Sequence, residues 1–254
     1  MMRIDMLLKE KYGFSRQKAQ RLIKESAVKL NGEIVKKSSE NADENSVIEI
    51  LENNVLKYAG RGGLKLEGAI KAFGLDLKDK VCIDIGASTG GFTDCMLQNG
   101  AKCVYAVDVG TAQLVDELKN DNKVKSFENT DIADFECPET ADFIATDVSF
   151  VSLSKILPHI DRLLGGNKAV VLVKPQFEAG REHLSKSGIV RDKKVHKKVL
   201  ERIVTESARN SLYCGGITVS PIKGGDGNTE YLMLFERDNT FRDNEAEIKK
   251  AIMS

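Results

Sequence analysis

Two lysines and two carboxylates, remote from one another in the chain, stand where proton transfer could be done. Asp147 closes the apolar run Phe143–Thr146, and Lys174 closes Ala169–Val173. Both runs read as parallel strands, and open α/β sheets bind their ligands beyond the carboxyl ends of such strands. Pro175 stops the second strand and fixes where the Lys174 side chain points. Lys65 lies in the helix-like stretch Arg61–Ile70, and Glu230 stands at the start of Tyr231–Phe235. If that last strand runs antiparallel, its beginning shares an edge with the ends of the parallel ones. Two charges of each sign would then converge on one rim. Taken singly, each also reads as a surface charge or ion pair.

A second constellation suits a nucleoside ligand. The run Val81–Ile85 feeds directly into Gly86, Ala87, Ser88, Thr89, Gly90, Gly91 and Phe92. A strand leading through a glycine-rich turn into a helix is the first βα unit of a nucleotide-binding fold, with glycine admitting a ligand close to the main chain. The spacing is G-x-x-x-G-G rather than the dinucleotide G-x-G-x-x-G, and no Lys-Ser/Thr follows as in a P-loop. The loop therefore suits a ligand with adenosine but no phosphates; the plain alternative is a structural turn. Asp108, with Val109 beside it, follows the next run, Cys103–Val107, where a carboxylate can accept both hydroxyls of a ribose. Asp131, after Val124–Glu128, is a candidate for an adenine amino group or, equally, a loop cap. Asp84, inside its strand, reads as a brace for the glycine loop or for the ligand's amino group.

The elements that must position these residues alternate. Apolar runs at 81–85, 103–107, 143–147 and 169–174 are separated by amphipathic stretches at Phe92–Gln98, Ala112–Lys119 and Leu153–Leu164. This predicts an α/β fold, a doubly wound Rossmann-like sheet that is mostly parallel. Ile217–Ile222 and Tyr231–Phe235, joined by the glycine-rich turn Lys223–Glu230, read as a closing hairpin that ends the sheet with an antiparallel strand. Ahead of it a small α+β unit is expected over 1–57, with Tyr58–Gly63 (YAGRGG) as a tether and 64–254 as the larger domain.

Of the 254 residues, 41% are hydrophobic and 30% charged, the mix of a globular protein with a sizeable core. No apolar run approaches the ~18 residues that span a bilayer, and Met1–Gly13 lacks a signal-peptide core. The five cysteines include no Cys-x-x-Cys pair and the three histidines are scattered, so the expectation is reduced thiols in the cytoplasm and no metal site. The 38 Lys and Arg balance the 38 Asp and Glu, so any nucleic-acid surface must come from uneven charge.

That unevenness lies at the start. Residues 1–40 hold ten Lys or Arg against five Asp or Glu. Met2–Tyr12 and Ser15–Ser26 show helical spacing, with Ser15 as an N-cap of the second helix. Arg16, Lys18, Arg21 and Lys24 fall outside its apolar stripe, and Arg3 precedes the first helix. Val28–Leu30, the Asn31-Gly32 turn and Ile34–Val35 form a tight hairpin. A basic helix beside a hairpin can follow an RNA backbone, although charge alone reads as readily as a solvated face. The order Arg3-Ile4-Asp5…Leu8, Ser15-Arg16…Ala19…Leu22-Ile23, Val28…Asn31-Gly32…Val35 resembles the S4-like RNA-binding domain, with Ser26-Ala27 standing where that family usually has glycine. The resemblance implies RNA contacts by Arg3, Arg16, Lys18, Arg21 and Lys24. The later run Lys193, Lys194, His196, Lys197, Lys198 opens a helix and reads as a phosphate contact or a solvated face.

The order Lys65, DIGASTGGF, Asp147 in ATDVSF, Lys174 in VKPQFE and Glu230 in GGDGNTEYL resembles the TlyA family of rRNA 2′-O-methyltransferases, an S4-like domain fused to an FtsJ-like catalytic domain. The resemblance implies S-adenosylmethionine as cofactor and ribosomal RNA or ribosomal subunits as partner. It also implies cytidine 2′-hydroxyls in 16S or 23S rRNA as targets, and Lys65, Asp147, Lys174 and Glu230 as the catalytic tetrad. A ribose hydroxyl is a weak nucleophile, and holding it in line with a methyl donor can supply ~7–11 kcal/mol. Lys174 is the candidate that orients and deprotonates it. The rival readings are a non-catalytic RNA-binding or ribosome-assembly protein, and the membrane-active haemolysin named in this family's label. The first is opposed by the intact tetrad and the second by the lack of a spanning segment.

Overall fold

The computed structural model describes residues 1–24, 26–51, 57–239 and 243–253, which form two compact units, Met1–Tyr58 and Ala59–Ser254. In the first, strand β1 (Met2–Arg3) leads into helices α1 (Ile4–Tyr12) and α2 (Arg16–Lys24), followed by strands β2 (Val28–Leu30), β3 (Glu33–Ile34), β4 (Asn41–Ala42) and β5 (Ile48–Ile50). The predicted first helix starts two residues late because Met2 and Arg3 pair with Ala42 and Asn41. Ser15 Oγ accepts from Lys18 N at 3.2 Å, capping α2 as its sequence suggests. Glu25, in the predicted end of that helix, lies outside the described residues. The hairpin turn Asn31-Gly32 has φ of 52° and 87°, left-handed at both central positions. Ser26 also takes a positive φ, 57°, which is the conformation glycine would adopt more easily there.

The larger unit begins with α3 (Gly62–Phe73), then β6 (Val81–Ile85), α4 (Gly91–Gln98), β7 (Cys103–Val107), α5 (Asp116–Lys119), β8 (Val124–Phe127) and β9 (Ala141–Thr146). It continues through α6 (Leu153–Leu163), β10 (Leu164–Val173), α7 (Pro175–Glu178), α8 (Lys193–Arg209), β11 (Tyr213–Val219), β12 (Tyr231–Glu236) and α9 (Asn244–Met253). Seven strands form one sheet in the order β11-β12-β10-β9-β6-β7-β8, and β12 runs antiparallel to both its neighbours. The chain winds from β6 out to β8 and then returns to β9 on β6's other side. This makes the β6/β9 crevice the switch point where such sheets take ligands.

Strand alternation assigns the faces. Val81, Ile83 and Ile85 join the core with Leu153, Leu157, Ile160, Leu200 and Ile203 from α6 and α8, so Cys82 and Asp84 point to the opposite face. By the same period of two, Tyr231, Met233 and Phe235 share the α6–α8 core, which leaves Glu230 on the side of Leu232 and Leu234 where α3 packs.

Several predicted boundaries move. Only Asp116–Lys119 of the predicted helix Ala112–Lys119 is helical, because Ala112 sits at φ 53° with its N–H on Glu128 Oε2. The predicted strand Ile217–Ile222 is shifted to Tyr213–Val219, since its partner β12 begins at Tyr231 and pairs back to Tyr213. Gly62 and Gly63, read as tether, open α3 instead. Their main chain packs so close to the start of α4 that Gly91 must be small: a Cβ on Gly91 would lie 2.9 Å from Gly63 N and 3.0 Å from Gly60 O.

Asp5 is fully buried in the first unit. Its carboxylate accepts from Arg3 Nε and Arg3 Nη2 at 2.9 Å, from Gln20 Nε2 at 2.9 Å and from Arg16 Nε at 3.4 Å. The Arg3 guanidinium holds the Asp5 carboxyl well below the ordinary carboxylate range. A lowered folded value means stabilisation present above the unfolded value of about 4 and lost as pH falls below it. Asp5→Asn is expected to cost this unit about 2 kcal/mol at neutral pH, both arginines being half exposed, with the deficit shrinking on acidification. Urea unfolding of the two proteins at pH 7 and pH 3 checks it.

Candidate active site

The four sequence-predicted charges meet. Lys65, buried on α3, donates to Glu230 Oε2 at 2.6 Å and lies 3.8 Å from Asp147 Oδ2. Lys174 Nζ lies 2.6 Å from Asp147 Oδ1 and donates to Ser149 Oγ at 2.7 Å. The contacts thus run in one line, Glu230–Lys65–Asp147–Lys174. Register explains the meeting: Val173 pairs with Tyr231, so Lys174 and Glu230 sit just past the last rung of an antiparallel ladder. Thr146 pairs with Val171 and Ile85, which brings Asp147 to the same edge. Lys65 and Lys174 are each 8% exposed and Glu230 2%, so the charges are compensated by one another rather than by water.

Next to this line is the glycine loop. Gly86 has φ 82°, and a Cβ there would come within 3.1 Å of Asp147 O. Gly90, at φ 94°, opens α4, and a Cβ on it would strike Leu118 Cδ1 at 2.3 Å. These two positions require glycine. Ala87, Gly91 and Phe92 are buried, whereas Ser88 and Thr89 are exposed at the loop's crest. Asp108 Oδ2 accepts from Ser88 N at 2.8 Å and Oδ1 from Gly110 N at 2.7 Å, tying the loop after β7 to the glycine loop. Val109 is exposed beside it. Asp131 is exposed and caps its own turn through Ala133 N at 2.9 Å.

Asp84 is fully buried. Oδ2 accepts from Thr93 Oγ1 at 2.6 Å, while Oδ1 has no hydrogen-bond partner among the described residues. Burial pushes its carboxyl up to about 7, against the pull of Thr93, with Asp147 and Asp108 adding to the rise. An orphaned carboxylate oxygen beside a glycine loop is chemically matched to a ligand ammonium.

Four residues beyond the predicted set also line the site. Ser149 holds Lys174. Gln176 Nε2 donates to the free side of Glu230, Oε1, at 3.1 Å. Phe150, at φ 64° and 90% exposed, packs its ring at a tilt against Phe177 with ring centroids 4.9 Å apart. A bulky residue in the left-handed region, with its ring in solvent against Phe177, whose ring centroid lies 5.7 Å from Lys174 Nζ, is a strained conformation that points to use. These residues lie inside the quoted ATDVSF and VKPQFE stretches, but nothing in their types alone distinguishes them from packing residues.

Among the basic residues of the first unit, Asp5 gathers Arg3 and Arg16, Lys18 lies over the Phe14 ring at 4.8 Å, and Lys24 is exposed. Arg21 is half-buried on the same helix. In the larger unit, His196 is buried against Tyr231 Oη and Val190 O at 2.9 and 3.0 Å, so that member of the basic run is structural. No group of three or more His, Cys, Asp or Glu side chains suited to a metal ion occurs among the described residues.

Residues 58–237 match the FtsJ-like methyltransferase family and residues 2–48 the S4 domain. Hemolysin A of Brachyspira hyodysenteriae is 43% identical over 92% of this chain and 99% of its own. The 23S rRNA (cytidine-2′-O)-methyltransferase TlyA of Campylobacter jejuni is 34% identical over the same shares, 92% and 99%. A solved structure from Streptococcus thermophilus that bears a hemolysin name superimposes with a TM-score of 0.79 at 42% identity, covering 99% of this chain and 94% of that one.

The raised Asp84 carboxyl has a stability consequence opposite in sign to Asp5. Between the unfolded value of about 4 and the folded value, the folded chain holds a proton that the unfolded chain has lost, so stability falls as pH rises through this window. Asp84→Asn carries no such penalty. Its stability relative to the natural protein is expected to grow between pH 5 and pH 8, by about 3 kcal/mol. Denaturant melts across that range test this, and a constant difference would contradict it.

Proposed function

The chain belongs to the FtsJ-like methyltransferase family and carries an S4 domain ahead of the catalytic unit, and from that premise we propose that it methylates ribose 2′-hydroxyls of cytidine in ribosomal RNA, with S-adenosylmethionine as donor. The observation that carries this reading is the unbroken line Glu230–Lys65–Asp147–Lys174 at the rim of the switch-point crevice.

The residues present fit the donor. Asp84 Oδ1 offers an orphaned acceptor for the amino group, the glycine loop turns tightly between Asp84 and Asp108 and is tied to Asp108 through Ser88 N, and Asp108 is the acceptor for ribose hydroxyls. Val109 and Asp131 would border the adenine. When bound, S-adenosylmethionine supplies a methyl group on positively charged sulfur. The chain's own residues handle the hydroxyl. Lys174, in its neutral form, orients the 2′-hydroxyl and takes up its proton, with Ser149 and Asp147 holding the resulting ammonium. Asp147 keeps Lys174 in register, while Lys65, bound to Glu230, neutralises the carboxylate's other oxygen. The tetrad is formally neutral when all four members are ionised, so it can be buried without stranding a charge. The exposed Phe150 ring offers a face on which an unstacked base can lie, as proteins commonly bind single-stranded RNA.

The cytidine and ribosomal assignment rests on the reaction for which the Campylobacter relative is named. Arg3, Arg16, Lys18, Arg21 and Lys24 supply phosphate contacts in the S4 unit, which makes RNA affinity fall with salt. No helix among the described residues is long and apolar enough to cross a membrane.

Mapping 2′-O-methyl groups in rRNA from cells with and without this protein tests the proposal, and identical maps would refute it. In the same assay in vitro, Lys174→Ala is expected to lose transfer by at least ~10²-fold while S-adenosylmethionine binding, followed by calorimetry, stays near that of the natural protein. Loss of cofactor affinity with transfer intact would overturn the role of Lys174.

A further inference from the structure

Glu178 is a buried carboxylate outside the tetrad, yet it touches both segments that carry Asp147 and Lys174. Its side chain is 2% exposed. Oε1 accepts from Leu153 N at 2.7 Å, and Oε2 accepts from Ser152 Oγ at 2.8 Å, so it satisfies the opening turn of α6. That turn ends the short loop that carries Asp147, Ser149 and Phe150. Glu178 itself closes α7, the single turn that starts at Pro175, directly after Lys174. A staple from Glu178 to Leu153 therefore clips the Lys174 segment to the Asp147 segment, which the Phe150–Phe177 contact and the Lys174–Ser149 bond also join.

A third element braces the staple. Arg202 Nη2, from α8, reaches Glu178 Oε2 at 2.5 Å and Glu178 O at 3.0 Å. Glu206, one turn further on, lies 4.0 Å from Arg202 Nε and accepts from Ser154 Oγ at 2.5 Å, which returns the network to α6. Burial pushes the Glu178 carboxyl upward, against the bonds from Leu153 N and Ser152 and the charge of Arg202. A core that needed only filling would be served by an apolar side chain at this position.

We propose that Glu178, braced by Arg202, is a positioning residue that sets the register of Lys174 against Asp147 and Ser149. The inference rests on the reading of Lys174 as the group that handles the ribose proton. It is specific about geometry: without the carboxylate, the Asp147 and Lys174 segments keep their strands but lose the clip between them. A displacement of about 1 Å at a reacting centre can cost ~10²-fold in rate.

The test uses the full chain, with ribosomal subunits from cells lacking this protein as the methyl acceptor. Glu178→Gln keeps the shape but puts an amide donor opposite the donors it must meet. It is expected to lower kcat by about 10²-fold while the KM for S-adenosylmethionine changes less than about twofold. Arg202→Gln, on the exposed side of α8, is expected to give a smaller fall of the same pattern. A second readout does not depend on activity: amide hydrogen exchange is expected to quicken several-fold in 147–153 and 174–178 of Glu178→Gln, with 81–91 unchanged. Undiminished kcat, unchanged exchange in those two segments, or uniformly faster exchange throughout the unit would each overturn the inference. If the natural protein itself fails to methylate the subunits, the proposed function fails, and the exchange measurement still decides the role of Glu178.

Discussion

A single carboxylate, Asp147, stands between two ammonium groups that would otherwise repel each other in a site largely closed to water. One oxygen is 2.6 Å from Lys174 and the other 3.8 Å from Lys65. Every larger feature of the catalytic unit serves this contact. The parallel strands β9 and β10 deliver Asp147 and Lys174 to one edge. The antiparallel β12 brings Glu230 back to that edge, where a parallel strand would have carried it to the other. Helix α3 lies over the face to which Glu230 points and thereby lowers Lys65 into the gap. Lys65 and Glu230, 165 residues apart in sequence, thus meet because one strand is reversed.

The ligand side of the crevice obeys the same economy of polar groups. Asp108 has both its oxygens satisfied by main-chain N–H groups of the glycine loop and of its own loop, so it is already oriented. Asp84 is the opposite: buried, held through one oxygen by Thr93, and with the other left over. One carboxylate is organised in advance and the other is left to be completed by a cation. This division suits a ligand that carries both hydroxyls and an ammonium group.

Much of this was legible in the residues. The runs 81–85, 103–107 and 231–235 became strands at almost those bounds because they are mostly apolar, rich in β-branched residues in the first two and in aromatic ends in the third, and closed by glycine or charge. The tetrad could be anticipated because strand ends and an assumed reversed last strand confine four side chains to one rim. Less legible were effects that depend on neighbours in space. Nothing in Ala112–Asp116 announces that Ala112 turns left-handed to reach Glu128. The glycines of YAGRGG look like slack, yet a Cβ on Gly60 would strike Thr89 Oγ1 at 2.5 Å, and their main chain leaves Gly91 no room for a Cβ. Asp5, apparently one more helix residue, accepts from both Arg3 and Arg16, a pairing that the basic character of these residues does not announce. Glu178 is one letter in VKPQFE whose partners lie 24, 25 and 26 residues away, a pairing that no periodicity encodes.

The most direct trial of the Asp147 bridge is single-turnover methyl transfer to rRNA by Asp147→Asn, with S-adenosylmethionine saturating. The amide keeps the size of the side chain and removes the charge that both lysines share. The expected result is bound cofactor with transfer slowed by at least ~10²-fold. Transfer at the rate of the natural protein would contradict the claim that one shared carboxylate organises the site.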